Sequence, residues 1–218
     1  MRIKTFIGGF DKNFSYLIWC RKSGYAAIVD PAVKPDEMID AVLENDLKLK
    51  KILISHTHGD HTAYLNEWEK KFPNLVVQGY TQPMHLNNLE FSSLSHGQVV
   101  TIGKQLITAL FTPGHYKDCI CYWSQESNCI FTGDTVFVGR TGRTIRTGSN
   151  ISDLYNSVYK ILLKLPEETL IYPGHHYGYS PTTTFSENKK YSPFFQCKSK
   201  SEFITVMENY ERSRLHGN

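Results

Sequence analysis

The segment Ser55-His56-Thr57-His58-Gly59-Asp60-His61 follows directly on the apolar run Lys51-Ile52-Leu53-Ile54. Three imidazoles and one carboxylate packed so closely form a donor set suited to borderline divalent metals such as zinc or iron, with manganese also accommodated. The spacing divides the work. His56 and His58, two apart at a strand terminus, can converge on one ion. Asp60 and His61, expected at the start of the next helix, point towards a neighbouring position, and Gly59 lets the backbone turn between the two groups. Three more fragments repeat one grammar, an apolar strand, a small-residue turn and then a ligand type: Thr112-Pro113-Gly114-His115, Thr132-Gly133-Asp134 and Tyr172-Pro173-Gly174-His175. Together they complete a two-metal set. One ion takes His56, His58 and His115, the other Asp60, His61 and His175, and Asp134 bridges ions roughly 3.5–4 Å apart. The chemistry such a set supports is hydrolysis, in which a water is acidified and a carbonyl polarised, with Asp60 or Asp134 as the catalytic carboxylate that orients the nucleophile. His176 is of ligand type and competes with His175 for the last place.

The elements that must position these residues can be read from periodicity. Phe14 to Cys20 and Tyr25 to Asp30 read as strands joined by a turn at Lys22-Ser23-Gly24. A helix is expected from about Pro35 to Asp46, with Met38, Ile39, Val42 and Leu43 as its apolar stripe. A buried strand from Lys51 to Ser55 delivers the chain into the histidine motif, followed by a helix from about His61 to Lys71 and a strand at Leu75 to Gln78. The second half reads as strands at Gln98 to Ile102, Gln105 to Phe111, Ile120 to Trp123, Asn128 to Phe131 and Leu170 to Tyr172. A helix from about Asp153 to Leu165 interrupts them, and the tail from Thr184 to Arg214 reads as mainly helical, broken near Pro193. Short strands mixed with helices predict two sheets face to face with helices outside, in one domain over residues 1–218.

Composition narrows the function classes. A formal net charge of +3, from 24 basic and 21 acidic residues scattered along the chain, gives no dedicated nucleic-acid surface. Lys48, Lys50 and Lys51 read as a solvated face, whereas Arg140, Arg143 and Arg146 cluster beside a site motif. No stretch reaches the ~18 consecutive apolar residues of a membrane span, and the opening MRIKTFIGGFDKNF lacks the apolar core of a secretory signal, so a cytoplasmic protein is expected. Five cysteines form no CxxC pair and are expected as reduced, buried thiols, with Cys119 and Cys121 on one face of a strand. Phe137, Tyr177 and Tyr179 follow site motifs and are candidates to line a pocket.

HxHxDH, then PGH, TGD and PGH at these intervals, resembles the metallo-β-lactamase superfamily pattern over nearly the whole chain, and Ile28-Val29-Asp30-Pro31 resembles its first motif. That resemblance implies an α+β fold, an αββα sandwich of two mixed β-sheets with outer helices. It also implies the same seven ligands, with Asp30 supporting the ligand loop from behind and His175 preferred to His176, which is left a role in the wall. The stretch from Phe131 to Phe137 followed by Gly139-Arg140-Thr141-Gly142-Arg143 resembles the glyoxalase II group, which hydrolyses glutathione thioesters. There a basic residue matching Arg143 meets a substrate carboxylate, while the family's nearby aromatic is Ile145 here; Tyr177 is the second expected substrate contact. The expectation is therefore a hydrolase of a small-molecule thioester holding two divalent metal ions. The tail, from Tyr172-Pro173-Gly174-His175 through Thr182-Thr183-Thr184 and Glu187-Asn188-Lys189 to Ser192-Pro193 and Glu202-Phe203, resembles the persulfide dioxygenase group instead. In that alternative one Fe(II) is held by residues matching His56, His115 and Asp134.

Overall fold

Strands covered on both faces need apolar side chains pointing both ways, which is why the strands of this chain read as apolar runs more than as strict alternations. The computed structural model describes residues 1–84 and 86–215. In it β1 (Arg2–Gly8), β2 (Asn13–Trp19), β3 (Tyr25–Val29), β4 (Lys48–Leu53), β5 (Val76–Gly79) and β6 (Glu90–Ser93) form one six-stranded sheet in chain order. A second six-stranded sheet holds β7 (Val99–Ile102), β8 (Gln105–Phe111), β9 (Ile120–Ser124), β10 (Cys129–Gly133), β11 (Leu170–Pro173) and β12 (Thr183–Thr184). Both sheets are mixed. β1 to β3 pair antiparallel and β3 to β6 parallel, while β7 to β10 pair antiparallel, β10 and β11 parallel, and β11 and β12 antiparallel.

Alternation along each strand sorts the side chains into layers. Phe14, Tyr16 and Ile18 of β2 pack inward with Ile107, Tyr122 and Phe131 of the facing sheet, forming the core between the sheets. Leu17, Ile28 and Ile52 point outward onto α1 (Asp36–Glu44) and α2 (Leu65–Lys71), where Met38, Val42 and Trp68 meet them. Ile130 and Ile171 point outward from the second sheet onto α3 (Ile151–Asn156) and onto α5 (Lys200–Leu215), through Leu154, Phe203 and Met207. α4 (Phe185–Tyr191) adds Phe185 to the same layer. The result is the expected αββα sandwich. All five cysteines are free and buried. No helix among the described residues is long and apolar enough to cross a membrane.

Several elements differ from the periodicity reading. The helix expected from His61 begins at Leu65, because Asp60 and His61 sit in the turn that aims them inward. The helix expected at Asp153 starts at Ile151, where the Asn150 side chain accepts from the backbone N–H groups of Ser152 and Asp153, and it continues as a π turn (Ser157–Ile161) and a 3-10 turn (Leu162–Lys164). Leu43, counted in the stripe of α1, is 69% exposed. β1 and β6, at the two edges of the first sheet, were not expected; their mostly exposed side chains carry little apolar alternation.

The strands that feed the site leave along one rim. β3 and β4 are parallel and end at Val29 and Leu53, shortly before Asp30 and His56. β8, β10 and β11 share one direction, because antiparallel β9 lies between β8 and β10, and they end before His115, Asp134 and His175.

Candidate metal centre

The seven expected ligands converge at that rim. Three groups have ligand atoms within 4.8 Å of one another: His56, His58 and His115; Asp60, His61 and His175; and His56, His61 and Asp134. In the first, His58 Nδ1 lies 2.9 Å from His56 Nε2 and 3.1 Å from His115 Nε2. In the second, His61 Nε2 lies 3.2 Å from His175 Nε2, and His175 Nε2 lies 3.3 Å from Asp60 Oδ2. Asp134 spans both, with Oδ1 3.2 Å from His61 and 3.4 Å from His175, and Oδ2 3.5 Å from His115. Ligands about 2.0–2.1 Å from a tetrahedral ion stand roughly 3.3 Å apart, so these spacings suit metal coordination. Asp134 Oδ1 is buried without a hydrogen-bond partner among the described residues, an atom that a cation would satisfy.

The imidazoles are held in one tautomer from behind. His115 Nδ1 donates to the Arg143 carbonyl at 2.9 Å and His175 Nδ1 to the Asp11 carbonyl at 2.8 Å. His61 Nδ1 donates to Asp30 Oδ2 at 2.8 Å, and His56 Nδ1 to Ser55 Oγ at 3.1 Å. Because these partners accept, each ring in its neutral form leaves its lone pair on Nε2, facing the cluster. His58 is the exception, since it presents Nδ1. Asp30 also accepts from Ser55 N–H at 2.7 Å and Ser55 Oγ at 2.6 Å, so one buried carboxylate steadies both halves of the motif. Its φ of 52° lies in the left-handed region, which Asp tolerates better than most residues.

Close approach of backbones completes the positioning. Gly133, at φ 48°, lies where a Cβ would meet Ser55 Cβ at 2.6 Å, and a Cβ on Gly174 would meet His61 Cε1 at 2.7 Å and overlap Asp134 Oδ1. Only glycine lets the TGD and PGH turns press this tightly against the histidine loop.

Burial and mutual charge set the protonation states. Burial, with His61 next, holds His56 well below the usual histidine range, and burial with His115 lowers His58 to about 4. Burial likewise lowers His115, more than Asp134 raises it. Burial alone would lower His175, but Asp134 and Asp60 outweigh it and raise the group to about 9. Burial would raise both carboxyls. His61 and His175 nevertheless hold Asp134 well below the carboxylate range, while His175, His61 and the Asn13 amide hold Asp60 there. Burial would lower His61 as well, but Asp134 and Asp30 outweigh it and raise it well above the usual histidine range. The site is thus built of ionised carboxylates and three neutral imidazoles, while His61 and His175 hold protons that a metal would have to displace.

Of the remaining candidates, Tyr177 and Phe137 line a cavity of about 590 Å³ that opens over His58, Asp60, His115, Asp134 and His175. Arg143 reaches the same cavity, but its guanidinium is paired with Glu211 of α5 through two hydrogen bonds, Nε to Oε1 at 2.7 Å and Nη2 to Oε2. The expected carboxylate contact at Arg143 is therefore already occupied by the chain itself. Tyr179 is 74% exposed and does not line the cavity. His176 packs on the Phe14 ring, apart from the metal-type clusters.

Sequence reasoning missed three supports. Asn13 Nδ2 donates to Asp60 Oδ2 at 3.0 Å, and Thr57 Oγ1 donates to the buried Asp118 at 2.6 Å, pinning the loop between His56 and His58. Tyr210 and Arg214 of α5 close the cavity from far along the chain. A polar residue at the head of an apolar strand was the available signal for Asn13; nothing local marks the other two.

A family model for the metallo-beta-lactamase superfamily matches residues 8–175. The chain belongs to that superfamily. It is 29% identical over 208 residues to the probable polyketide biosynthesis zinc-dependent hydrolase BaeB of Bacillus velezensis, covering 93% of this chain and 90% of that protein. It is 32% identical over 180 residues to the hydroxyacylglutathione hydrolase of Francisella tularensis subsp. novicida, covering 81% of this chain and 68% of that one. Among solved structures, the ETHE1 protein from Myxococcus xanthus matches with a TM-score of 0.85 and 32% identity, covering 96% of this chain and 91% of the other. The superfamily fold and the glyoxalase II-like character expected from the motifs both hold, and members of the superfamily are metal-dependent enzymes.

Proposed function

We propose that this protein is a thioester hydrolase working with two divalent cations, zinc or iron, with manganese as a further candidate. The observation that supports it most is the intact second cluster, Asp60, His61 and His175, joined to His56, His58 and His115 through Asp134. When bound, the cations would supply an acidified water and Lewis-acid polarisation of the substrate carbonyl. The chain supplies the rest. The neutral His56, His58 and His115 present lone pairs inward, His61 and His175 would do so on losing a proton, and the ionised Asp134, whose Oδ1 has no hydrogen-bond partner among the described residues, would be the ligand shared by the two clusters. Asp60, 30% exposed at its side chain and fixed by Asn13, is the carboxylate placed to orient a water at the cavity floor. The rings of Phe137 and Tyr177 shield one wall from solvent. Two of the similar proteins are described as hydrolases, one of them zinc-dependent and one acting on a hydroxyacylglutathione.

The alternative, a mononuclear iron persulfide dioxygenase, rests on the tail motifs and would leave Asp60, His61 and His175 without work. Following thiol release from small acyl thioesters, with wild type and Asp60→Asn side by side, separates the two. Turnover that falls at least ~100-fold in Asp60→Asn, with the fold unchanged by circular dichroism, supports the hydrolase. Oxygen uptake with a persulfide and no thiol release would replace it with the dioxygenase.

A further inference from the structure

The end of the sandwich away from the metal-type cluster carries a second cavity, of about 290 Å³. Tyr25, Lys50 and Lys51 of the first sheet line it, together with Thr101 and Gly103 at the end of β7 in the second. β3 and β4 run from this end towards the ligand rim, so roughly 16 Å of extended chain separates Lys51 from His56. In sequence Lys48, Lys50 and Lys51 read as a solvated face, and Lys48 and Lys50 are exposed. Lys51 is half-buried. The parallel register of β3 and β4 slips at this point: Ala26 pairs with Leu49 but Ala27 with Lys51, which leaves Lys50 as an extra residue. Such a bulge breaks the alternation of faces and re-aims the side chains beside it. Ala27 and Leu53 belong to the core between the sheets, and Lys51, opposite the first and two before the second, points the same way. Two consecutive lysines, which strict alternation would send to opposite faces, thus line one cavity.

The charge placed there has no partner in the chain. Among the described residues lysine and arginine form ion pairs as Arg143–Glu211, Lys189–Glu167 and Arg212–Glu208, and no carboxylate pairs with Lys48, Lys50 or Lys51. Burial lowers the Lys51 ammonium from its ordinary value, and no neighbouring carboxylate raises it again. A methionine of similar length would fill the same space without desolvating a charge. An anion in the cavity would offset that cost for both lysines. Tyr25, 38% exposed, adds a ring to the wall, with Lys48 Nζ 5.7 Å from its centroid. The chemistry of the donors favours phosphate. Lysine ammonium groups are compact point charges without the planar fork that matches a carboxylate, and they are common phosphate binders. A phosphate monoester brings about −1.5 to −2 charge at neutral pH and several acceptor oxygens for two ammonium groups to share. The volume lies near the lower end of small-ligand pockets, about 300–1,000 Å³, and suits a sugar phosphate or a mononucleotide.

We propose that this cavity is a binding site for the phosphate group of a small phosphorylated molecule, held by Lys50 and Lys51 with the Tyr25 ring beside them. The site stands apart from the metal-type cluster and does not depend on the hydrolase reading. The metal-loaded protein is titrated calorimetrically with ribose 5-phosphate and adenosine 5′-monophosphate, and with ribose and adenosine as their uncharged counterparts. At least one phosphate is expected to bind about 10-fold or more tightly than its counterpart, and the gain should shrink as salt is raised. Cations at the metal centre also attract phosphate, so variants fix the location. Lys51→Met keeps the length of the side chain and removes its charge; it should erase the gain, and Lys50→Gln should reduce it, while both proteins keep the wild-type metal content. Without ligand, Lys51→Met should melt at or above the wild-type temperature, because an unpaired, half-buried charge has gone. No gain with either phosphate, a gain that survives both substitutions, or equally tight binding of succinate overturns the assignment. So does a Lys51→Met protein that melts well below wild type, since the chain itself would then be satisfying the ammonium.

Discussion

Replacing Asp30 by Asn tests whether the centre depends on a carboxylate that never touches the cavity. Asp30 is 2% exposed and accepts three hydrogen bonds, from Ser55 N–H, Ser55 Oγ and His61 Nδ1, at 2.6–2.8 Å. An amide offers one oxygen where the carboxylate offers two. If that oxygen keeps Ser55 N–H, an NH2 group meets His61 Nδ1, and the ring must move its proton to Nε2, the atom that faces His175 and Asp134. Losing one charge-assisted bond of this kind costs about 1.5–3 kcal/mol. Removing an outer partner of a ligating histidine typically weakens metal affinity about 10- to 100-fold, which is ~1.4–2.7 kcal/mol and of the same size. The loss should fall on the position served by Asp60, His61 and His175 more than on the other. Competition with a chromophoric chelator resolves the two affinities, and a thermal melt of the metal-free protein reports the folding cost. An Asp30→Asn protein that keeps both affinities within about twofold of wild type would refute the claim that Asp30 sets the His61 tautomer.

Three further outcomes follow from the same geometry. Gly174→Ala places a methyl against His61 and Asp134; activity should fall at least ~100-fold with metal affinity reduced, and wild-type turnover would show that the turn yields. His175, raised to about 9 from its ordinary 6.5, steadies the metal-free fold fully below 6.5 and loses that contribution as pH rises through about 9. Metal binding must displace its proton and that of His61, also raised, so affinity should climb at least about tenfold per pH unit between those values, and calorimetry at pH 7.5 in buffers of different ionisation enthalpy should show at least one proton released; a pH-independent affinity contradicts this. Arg143→Ala breaks a partly exposed, doubly hydrogen-bonded pair to α5; a stability loss of ~1 kcal/mol or less is expected in chemical denaturation, and a loss several times larger would contradict the reading of a solvent-screened pair.

The convergence of these histidines and aspartates was legible because metal chemistry would confine such a set to few residue types at turn positions after apolar strands, and HxHxDH, PGH, TGD and PGH occupy such positions. The sandwich core was legible for the same reason, as buried strands such as β2 and β10 must be apolar on both faces. What escaped was set by tertiary contact. Edge strand β1 carries little pattern because most of its side chains face solvent. The turn at Asp60–Tyr64 reads as helix in sequence, yet metal-type geometry and the Asp30–His61 bond hold it out of the helix. Arg140 and Arg143 are indistinguishable as neighbours in a basic loop; only the return of α5, with Glu211 and Tyr210, gives one a carboxylate and the other an aromatic cage.

The central claim is a two-metal hydrolytic centre, and elemental analysis of protein purified without added metal, paired with thiol release from an acyl thioester, tests it most directly. The account predicts two divalent cations per chain, accompanied by turnover that disappears when both are stripped by chelator and returns when they are restored. One iron per chain with oxygen consumption and no thiol release would contradict it.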